Sequence, residues 1–388
     1  MKENAMDYLT FFQRATAADG RGLSPYPYQQ RLAVGARWPD VLRIPTGVGK
    51  TAAAVLGWLY RRREAPEAVR QATPRRLAYC LPMRTLVEQT VRETRQWLRN
   101  LGYDSSEGVG VHVLMGGAGD TDWDEHPERD AILIGTQDMM LSRALNRGYG
   151  MSRYGCPVHF ALLNNDCQWV FDETQLLGVG LTTSAQLAGL RRRLATFGNC
   201  ATMWMSATLD KSALSTVDHP LPPSGQWAEE SLGADDRDQP SIQRLLAATK
   251  PCQQATTQLA SANLKQYGPS LAAEVLERHV TGTLTLVVVN RVSRAQQVFL
   301  ALQSAVRNGE HAPDLQLVHS RFRPRERREI ETLALEDSQL PPGGRILVTT
   351  QAVEAGVDLS ATTLLTELAP WSSLVQLCTR RSSTPHRA

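Results

Sequence analysis

Short apolar runs recur along the chain, each followed by a turn or a helix-like stretch. They are Val41–Ile44, Leu77–Leu81, Ala131–Ile134, Trp169–Phe171, Met203–Met205, Leu284–Val289, Leu315–Val318, Ile346–Val348 and Leu364–Leu368. Runs this short, separated by helical patterns, read as buried parallel strands in α/β units. The stretch Arg84–Asn100 illustrates the intervening helices. Leu86, Val87, Val91 and Leu98 fall at helical spacings, while Arg84, Glu88, Arg92, Glu93 and Arg95 take the remaining surface.

The pattern breaks between Lys211 and Thr281. Pro220, Pro222, Pro223, Ser224 and Gly225 precede a charged stretch, Glu229–Asp238, and together they read as loop and linker. A chain of 388 residues has room for two or three domains. The expected division is a first lobe over 1–225, a linker or insertion over 226–280 and a second lobe over 281–388.

Composition adds limits. With 42% apolar and 21% charged residues the chain is ordinary globular material. A net charge of +3 permits a nucleic-acid partner without arguing for one. The six cysteines are scattered, with no CxxC pair or zinc spacing, which suits a reducing cytosol. No stretch approaches the roughly 20 uninterrupted apolar residues of a membrane span, and the N-terminus lacks a signal-peptide core. A cytoplasmic protein without a membrane partner is expected.

The strongest chemical signal is Pro45-Thr46-Gly47-Val48-Gly49-Lys50-Thr51, placed after a strand and before the helix-like Ala52–Tyr60. Glycines let such a loop fold tightly, so that its N–H groups meet phosphate oxygens beside a helix N-terminus. Lys50 would reach the β- and γ-phosphates and the Thr51 hydroxyl would ligate magnesium. The strict pattern asks for a further glycine where Ile44 stands. The second signal is Asp172-Glu173-Thr174-Gln175, after the apolar Trp169–Phe171. A carboxylate at the end of a buried strand can hold the magnesium, which falls to Asp172, and Glu173 can activate water. Ser206-Ala207-Thr208 follows one further strand.

Taken together these motifs resemble those of superfamily 2 helicases. Tyr28-Gln29 is similar to the adenine-reading glutamine motif, Leu81–Gln89 to motif Ia and Gly135–Asp138 to motif Ib. Asp172–Gln175 resembles motif II, Ser206–Thr208 motif III, Val287–Val292 motif IV and Thr349–Asp358 motif V. The stretches Ile134–Gly150, Leu317–Phe322 and Gln351–Leu359 look like the CRISPR-associated helicase of type I interference systems. The resemblance implies an α/β fold of two RecA-like lobes, with parallel sheets flanked by helices. It implies ATP and magnesium between them, and single-stranded DNA across them.

By that resemblance Gln29, Thr46, Gly47, Gly49, Lys50, Thr51, Gly356 and Asp358 hold the nucleotide, with Thr51 and Asp172 on the metal. Lys50, Asp172, Glu173, Gln175 and Arg380 carry the chemistry. Position 175 is Gln where many relatives have His, which bears on coupling to the Ser206–Thr208 motif. Nucleic-acid contacts fall to Arg84, Thr136 and Gln137 in the first lobe and to Asn290, Arg291, His319 and Arg321 in the second. The basic residues Arg323, Arg325, Arg327 and Arg328 either join them or form a solvated helix face with Glu326 and Glu329.

The family implies two further partners, a guide-RNA surveillance complex and a nuclease. No His-Asp dipeptide occurs here, so the nuclease is expected to be separate or encoded downstream. Motif VI follows the family as far as Gln376. Leu377, Thr379 and Ser383 then replace its signature Arg, Gly and Arg, leaving Arg380 as the arginine finger. A second lobe cut short, with impaired turnover, is the expectation. Other readings are a restriction translocase, an RNA helicase or a remnant that binds ATP and DNA without turnover.

Overall fold

The computed structural model describes residues 6–105, 107–116, 122–148, 150–249, 251–260, 263–306, 309, 311–319, 321–322, 340–350, 361–371, 373–374 and 377. The chain divides into two compact units, Met1–Arg244 and Leu245–Ala388.

Seven strands form the sheet of the first unit: β1 (Val41–Arg43), β2 (Arg76–Leu81), β3 (Gly110–Leu114), β4 (Ala131–Thr136), β5 (Cys167–Phe171), β6 (Cys200–Met205) and β7 (Glu229–Ser231). Their spatial order is β3-β4-β2-β5-β6-β1-β7, and every pairing is parallel. The second unit carries β8 (Leu284–Val288), β9 (Asp314–Val318), β10 (Arg345–Thr349) and β11 (Thr363–Thr366) in the order β11-β8-β10-β9, again all parallel. This is the α/β architecture of RecA-like helicase lobes, and every apolar run read from the sequence forms a strand.

Alternation along each strand feeds two cores, one on each face of the first sheet. Leu77, Tyr79 and Leu81 of β2 join Leu42, Ile132, Val170 and Met203 against Phe11, Leu56, Trp58 and Val87. Ala78 and Cys80 join Val41, Leu133, Trp169 and Trp204 against Met140, Leu163, Ala185 and Leu187. Each large apolar side chain so buried contributes about 1.5–3 kcal/mol. The three most deeply buried indoles satisfy their N–H groups internally. Trp58 donates to the Pro74 carbonyl at 2.9 Å, Trp169 to that of Leu163 at 2.7 Å and Trp204 to the Ser184 hydroxyl at 2.8 Å. In the second unit Tyr267, Leu271 and Val275 pack with Val298, Leu302, Val287, Ile346 and Val348.

The stretch 226–280, expected to be linker or insertion, holds β7 and the helix Leu264–Arg278, and its two ends belong to different units. Glu229–Ser231 is β7, the edge strand beside β1, with Val41, Leu42 and Arg43 opposite Glu229, Glu230 and Ser231. Charge rather than apolar burial holds it there. Glu229 meets Arg43 at 3.3 Å and Lys211 at 2.7 Å. Arg31 reaches Glu230, Asp235 and Asp236 at 2.8, 2.8 and 2.6 Å. At the other end the helix Leu264–Arg278 packs within the second unit, and its Glu274 accepts the amides of Thr256 and Thr257 at 3.0 and 2.8 Å. Among the described residues no helix is long and apolar enough to cross a membrane.

Candidate nucleotide site and strand-contact residues

In an open parallel sheet, ligand-binding groups gather at the carboxyl ends of the strands. The order β4-β2-β5-β6-β1 sets five such ends side by side in the first unit.

Beyond β1 the chain makes its phosphate-type loop. Gly47 and Gly49 stand at φ +84° and +72°, the left-handed region where a side chain is strained, and Gly49 caps the helix Lys50–Arg63. That conformation turns the first helical N–H groups and Lys50 back toward the sheet edge. Lys50 is buried, with its ammonium 3.4 Å from the Ile44 carbonyl and 3.7 Å from Oε1 of Glu173. Thr46 is half-buried within the loop.

The helix Pro27–Val34 braces this loop from behind. Gln29 donates from Nε2 to the Gly49 carbonyl at 2.9 Å and accepts the Tyr26 amide on Oε1 at 2.8 Å. The Tyr28 hydroxyl donates to the Val48 carbonyl at 2.5 Å. Two residues of the glutamine motif thus clamp two successive loop carbonyls. Asp236 in turn accepts the Tyr28 amide at 2.8 Å, which ties the brace to the segment after β7.

β5 delivers the carboxylates. Asp172 is buried, and both of its oxygens have donors: Tyr79 Oη at 2.7 Å on Oδ2 and the Glu173 amide at 2.8 Å on Oδ1. Burial pushes the Asp172 carboxyl above the usual range, the adjacent Glu173 adds to this, and Lys50 opposes it. Glu173 itself sits in the left-handed region at φ 48°, ψ 48°. For a non-glycine residue this costs on the order of 1–3 kcal/mol, and such strain gathers at functional sites.

The Glu173 carboxylate lies between Lys50 and Gln175. Gln175, on the single helical turn Thr174–Leu176, donates from Nε2 to Oε2 of Glu173 at 2.6 Å. Its Oε1 accepts the hydroxyl of Ser206, just past β6, at 2.7 Å. Ser206 Oγ also accepts the Thr208 amide at 3.0 Å. One glutamine therefore links the end of β5 to the end of β6.

The first-unit residues expected to touch nucleic acid lie on the other side of the sheet order, past β2 and β4. Arg84 is exposed at the start of the helix Arg84–Leu101, with its guanidinium over Gly116. Thr136 ends β4 and caps the helix Gln137–Ala144. The buried Oε1 of Gln137 has no hydrogen-bond partner among the described residues and packs where a β-carbon on Gly180 would stand.

In the second unit Asn290 is engaged within the fold. Its amide donates to Oε2 of Glu367 at 2.7 Å and its Nδ2 to the Leu368 carbonyl at 2.8 Å. Arg294 grips both oxygens of Glu367 at 2.6 and 2.5 Å. Arg291 is exposed at the start of the helix Val292–Ala305. His319 is buried, stacks on Phe322 at 4.4 Å and accepts the Arg321 amide on Nδ1 at 3.3 Å. Burial holds its pKa below the usual histidine value. Arg321 is exposed. Gly356, Asp358, Arg380 and the basic run from Arg323 to Arg328 lie outside the described residues.

Residues that sequence reasoning passed over are Tyr79, Asp236 and the Arg294–Glu367 pair. Tyr79 sits inside an apolar run and gives no sign of chemistry; the acids carry no motif.

A magnesium ion suits this donor set. It takes hard oxygen ligands and usually shares them with substrate phosphates rather than filling an all-protein cage. Asp172 and Thr51 supply such oxygens, and among the described residues no group of three or more His, Cys, Asp or Glu could hold a metal alone.

Residues 30–217 match the DEAD/DEAH box helicase family, and residues 281–382 match the C-terminal part of the CRISPR-associated nuclease/helicase Cas3 family. The chain thus carries a DEAD/DEAH-type helicase domain followed by a Cas3-like C-terminal helicase part. Among solved structures it is similar to T. fusca Cas3 with ADP (19% identity, TM-score 0.65), with 97% of this chain and 45% of that one covered. It is also similar to the DUF1998 helicase MrfA bound to DNA, at 17% identity and TM-score 0.60, covering 96% of this chain and 49% of MrfA. A third likeness is to S. cerevisiae Dbp5 bound to RNA and ADP BeF3, at 14% identity and TM-score 0.55, covering 92% and 80%. The chain thus spans less than half the length of the Cas3 and MrfA structures. No curated relative matches it.

Proposed function

We propose that this protein is an ATP-driven motor on single-stranded nucleic acid, acting as a DNA helicase or translocase of a type I CRISPR interference system. The observation that carries this reading is the convergence of Lys50, Asp172, Glu173, Gln175 and Ser206 on one edge of the first sheet. A buried ammonium beside a glycine loop suits the β- and γ-phosphates. Thr51 and Asp172 suit magnesium, which when bound withdraws charge from the phosphate oxygens. Glu173, held in place by Gln175, suits the orientation of water and acceptance of its proton.

The Cas3 C-terminal match over residues 281–382 supports the CRISPR assignment and DNA as the track. Solved neighbours carrying nucleotide with DNA or RNA support nucleic-acid binding, with Arg84, Thr136 and Gln137 as candidate contacts in the first unit and Arg291 and Arg321 in the second. Phosphate contacts there hold a strand without reading its bases, as translocation requires. A guide-RNA surveillance complex and a separate or downstream nuclease are the partners this reading implies, in a cytoplasmic setting.

The test is phosphate release with and without single-stranded DNA or RNA, beside nucleotide titration. Lys50→Ala should weaken magnesium-ATP binding at least tenfold, about 1.4 kcal/mol. Glu173→Gln should keep binding and lose turnover by roughly 10²–10⁴-fold. A wild-type chain that binds no nucleotide would sink the proposal, and stimulation by RNA alone would remove the DNA assignment.

A further inference from the structure

Tyr79 is fully buried in the middle of β2, between Ile134 of β4 and Val170 of β5. A phenol at such a site needs a partner, since an unpaired buried hydroxyl costs about 1–3 kcal/mol. Its neighbours along the strand are apolar, and any of several strand positions would satisfy packing alone. Its hydroxyl instead ends on Asp172 Oδ2, at 2.7 Å.

The direction of that bond is settled by chemistry. A carboxylate only accepts, so the single phenolic proton belongs to Asp172. The Glu173 amide holds the other oxygen of Asp172 at 2.8 Å. One buried phenol thereby ties the middle of β2 to the carboxylate at the end of β5, on an oxygen that suits a magnesium ion.

We infer that Tyr79 is a positioning residue for the metal, which sets the rotamer of Asp172 before magnesium and nucleotide arrive. This rests on the magnesium-nucleotide reading of the site. Outer-shell partners of metal ligands typically change metal affinity by roughly 10–100-fold when removed. A phenol that merely filled the core would leave metal affinity alone.

The experiment uses the full chain and its Tyr79→Phe variant, which keeps the ring and deletes the hydroxyl. Manganese serves as a paramagnetic stand-in for magnesium. Its dissociation constant is read by electron paramagnetic resonance in the presence of AMPPNP. Binding of the same nucleotide in EDTA and thermal melting report whether the site is otherwise intact. The expected result is a manganese constant raised roughly 10–100-fold, with metal-free nucleotide affinity held within about twofold. A manganese constant within about twofold of wild type, with normal metal dependence in wild type, overturns the inference while leaving the nucleotide site standing. If wild type shows no metal-dependent nucleotide binding, the reading beneath it falls and takes the inference with it.

Should Tyr79→Phe not fold, 3-fluorotyrosine placed at position 79 supplies the readout. Its ¹⁹F resonance should move when magnesium is added to the nucleotide-bound protein. A resonance indifferent to magnesium overturns the role.

Discussion

Gln175 donates an amide proton to Glu173 at 2.6 Å, and the same amide's oxygen is already held by Ser206. An amide is suited to this position because it donates at one end and accepts at the other without changing charge. Glu173 holds a strained left-handed backbone, so its carboxylate needs side-chain support to keep one direction. Gln175→Leu removes both bonds at similar volume. It should lower turnover roughly 10–100-fold, the scale for loss of a supporting partner, with nucleotide affinity nearly unchanged. Ser206→Ala should produce a smaller loss in the same direction, and the double variant should not add the two. Steady-state kinetics on the three variants decide this; a fully additive double variant would mean that the residues act separately.

Gly49 is irreplaceable on two counts. Its φ of +72° is strained for any side chain, and a β-carbon there would stand 2.8 Å from Nε2 of Gln29, the atom bracing the loop. Gly49→Ala should destabilise the first unit by about 1–2 kcal/mol and also weaken nucleotide binding. Gly225 has a matching φ of +73° but open space around its missing side chain. Gly225→Ala should therefore show the melting shift with no change in affinity. Thermal melts and nucleotide titrations of the pair separate strain from displacement of the brace.

The second unit carries a carboxylate whose titration is linked to folding. Glu274 accepts two backbone amides and the guanidinium of Arg278 at 3.0 Å. Burial raises its pKa, but the hydrogen bonds from Thr256 and Thr257 outweigh it and hold the group down to about 2. A carboxyl with a lowered folded pKa adds stability above its unfolded value, about 4.3, and loses it as pH falls toward 2. The stability difference between wild type and Glu274→Gln should be level above pH ~5 and shrink as pH falls below ~4. Denaturant melts across that range test it. A difference that widens on acidification would reverse the assignment.

The sequence made nine parallel strands legible because each carries a short, largely apolar run followed by a turn or helix-like stretch. The two strands it concealed lie toward the sheet edges. Gly110–Leu114 is half-buried over most of its length and carries His112 in its middle. Glu229–Ser231 has two acids held by Arg43, Lys211 and Arg31, a pattern that resembles a loop in any one-dimensional reading. At the site, the loop and the Asp-Glu pair declare themselves by residue type and spacing. The supports do not. Tyr79 reads as core, and the contact from Tyr28 to Asp236 spans 208 positions with no local trace.

That last contact also sets an order of events in the cell. Chains emerge from the ribosome at about 5–20 residues per second, so the amide of Tyr28 waits roughly 10–40 s for its acceptor. Until then the outer edge of β1, the strand that leads into the phosphate-type loop, has no neighbour in β7. An open strand edge is a template for unwanted pairing. Synthesis halted between the end of β6 and Asp236 would leave a nascent lobe with its nucleotide loop written but unbraced, in the form most exposed to chaperones and proteases.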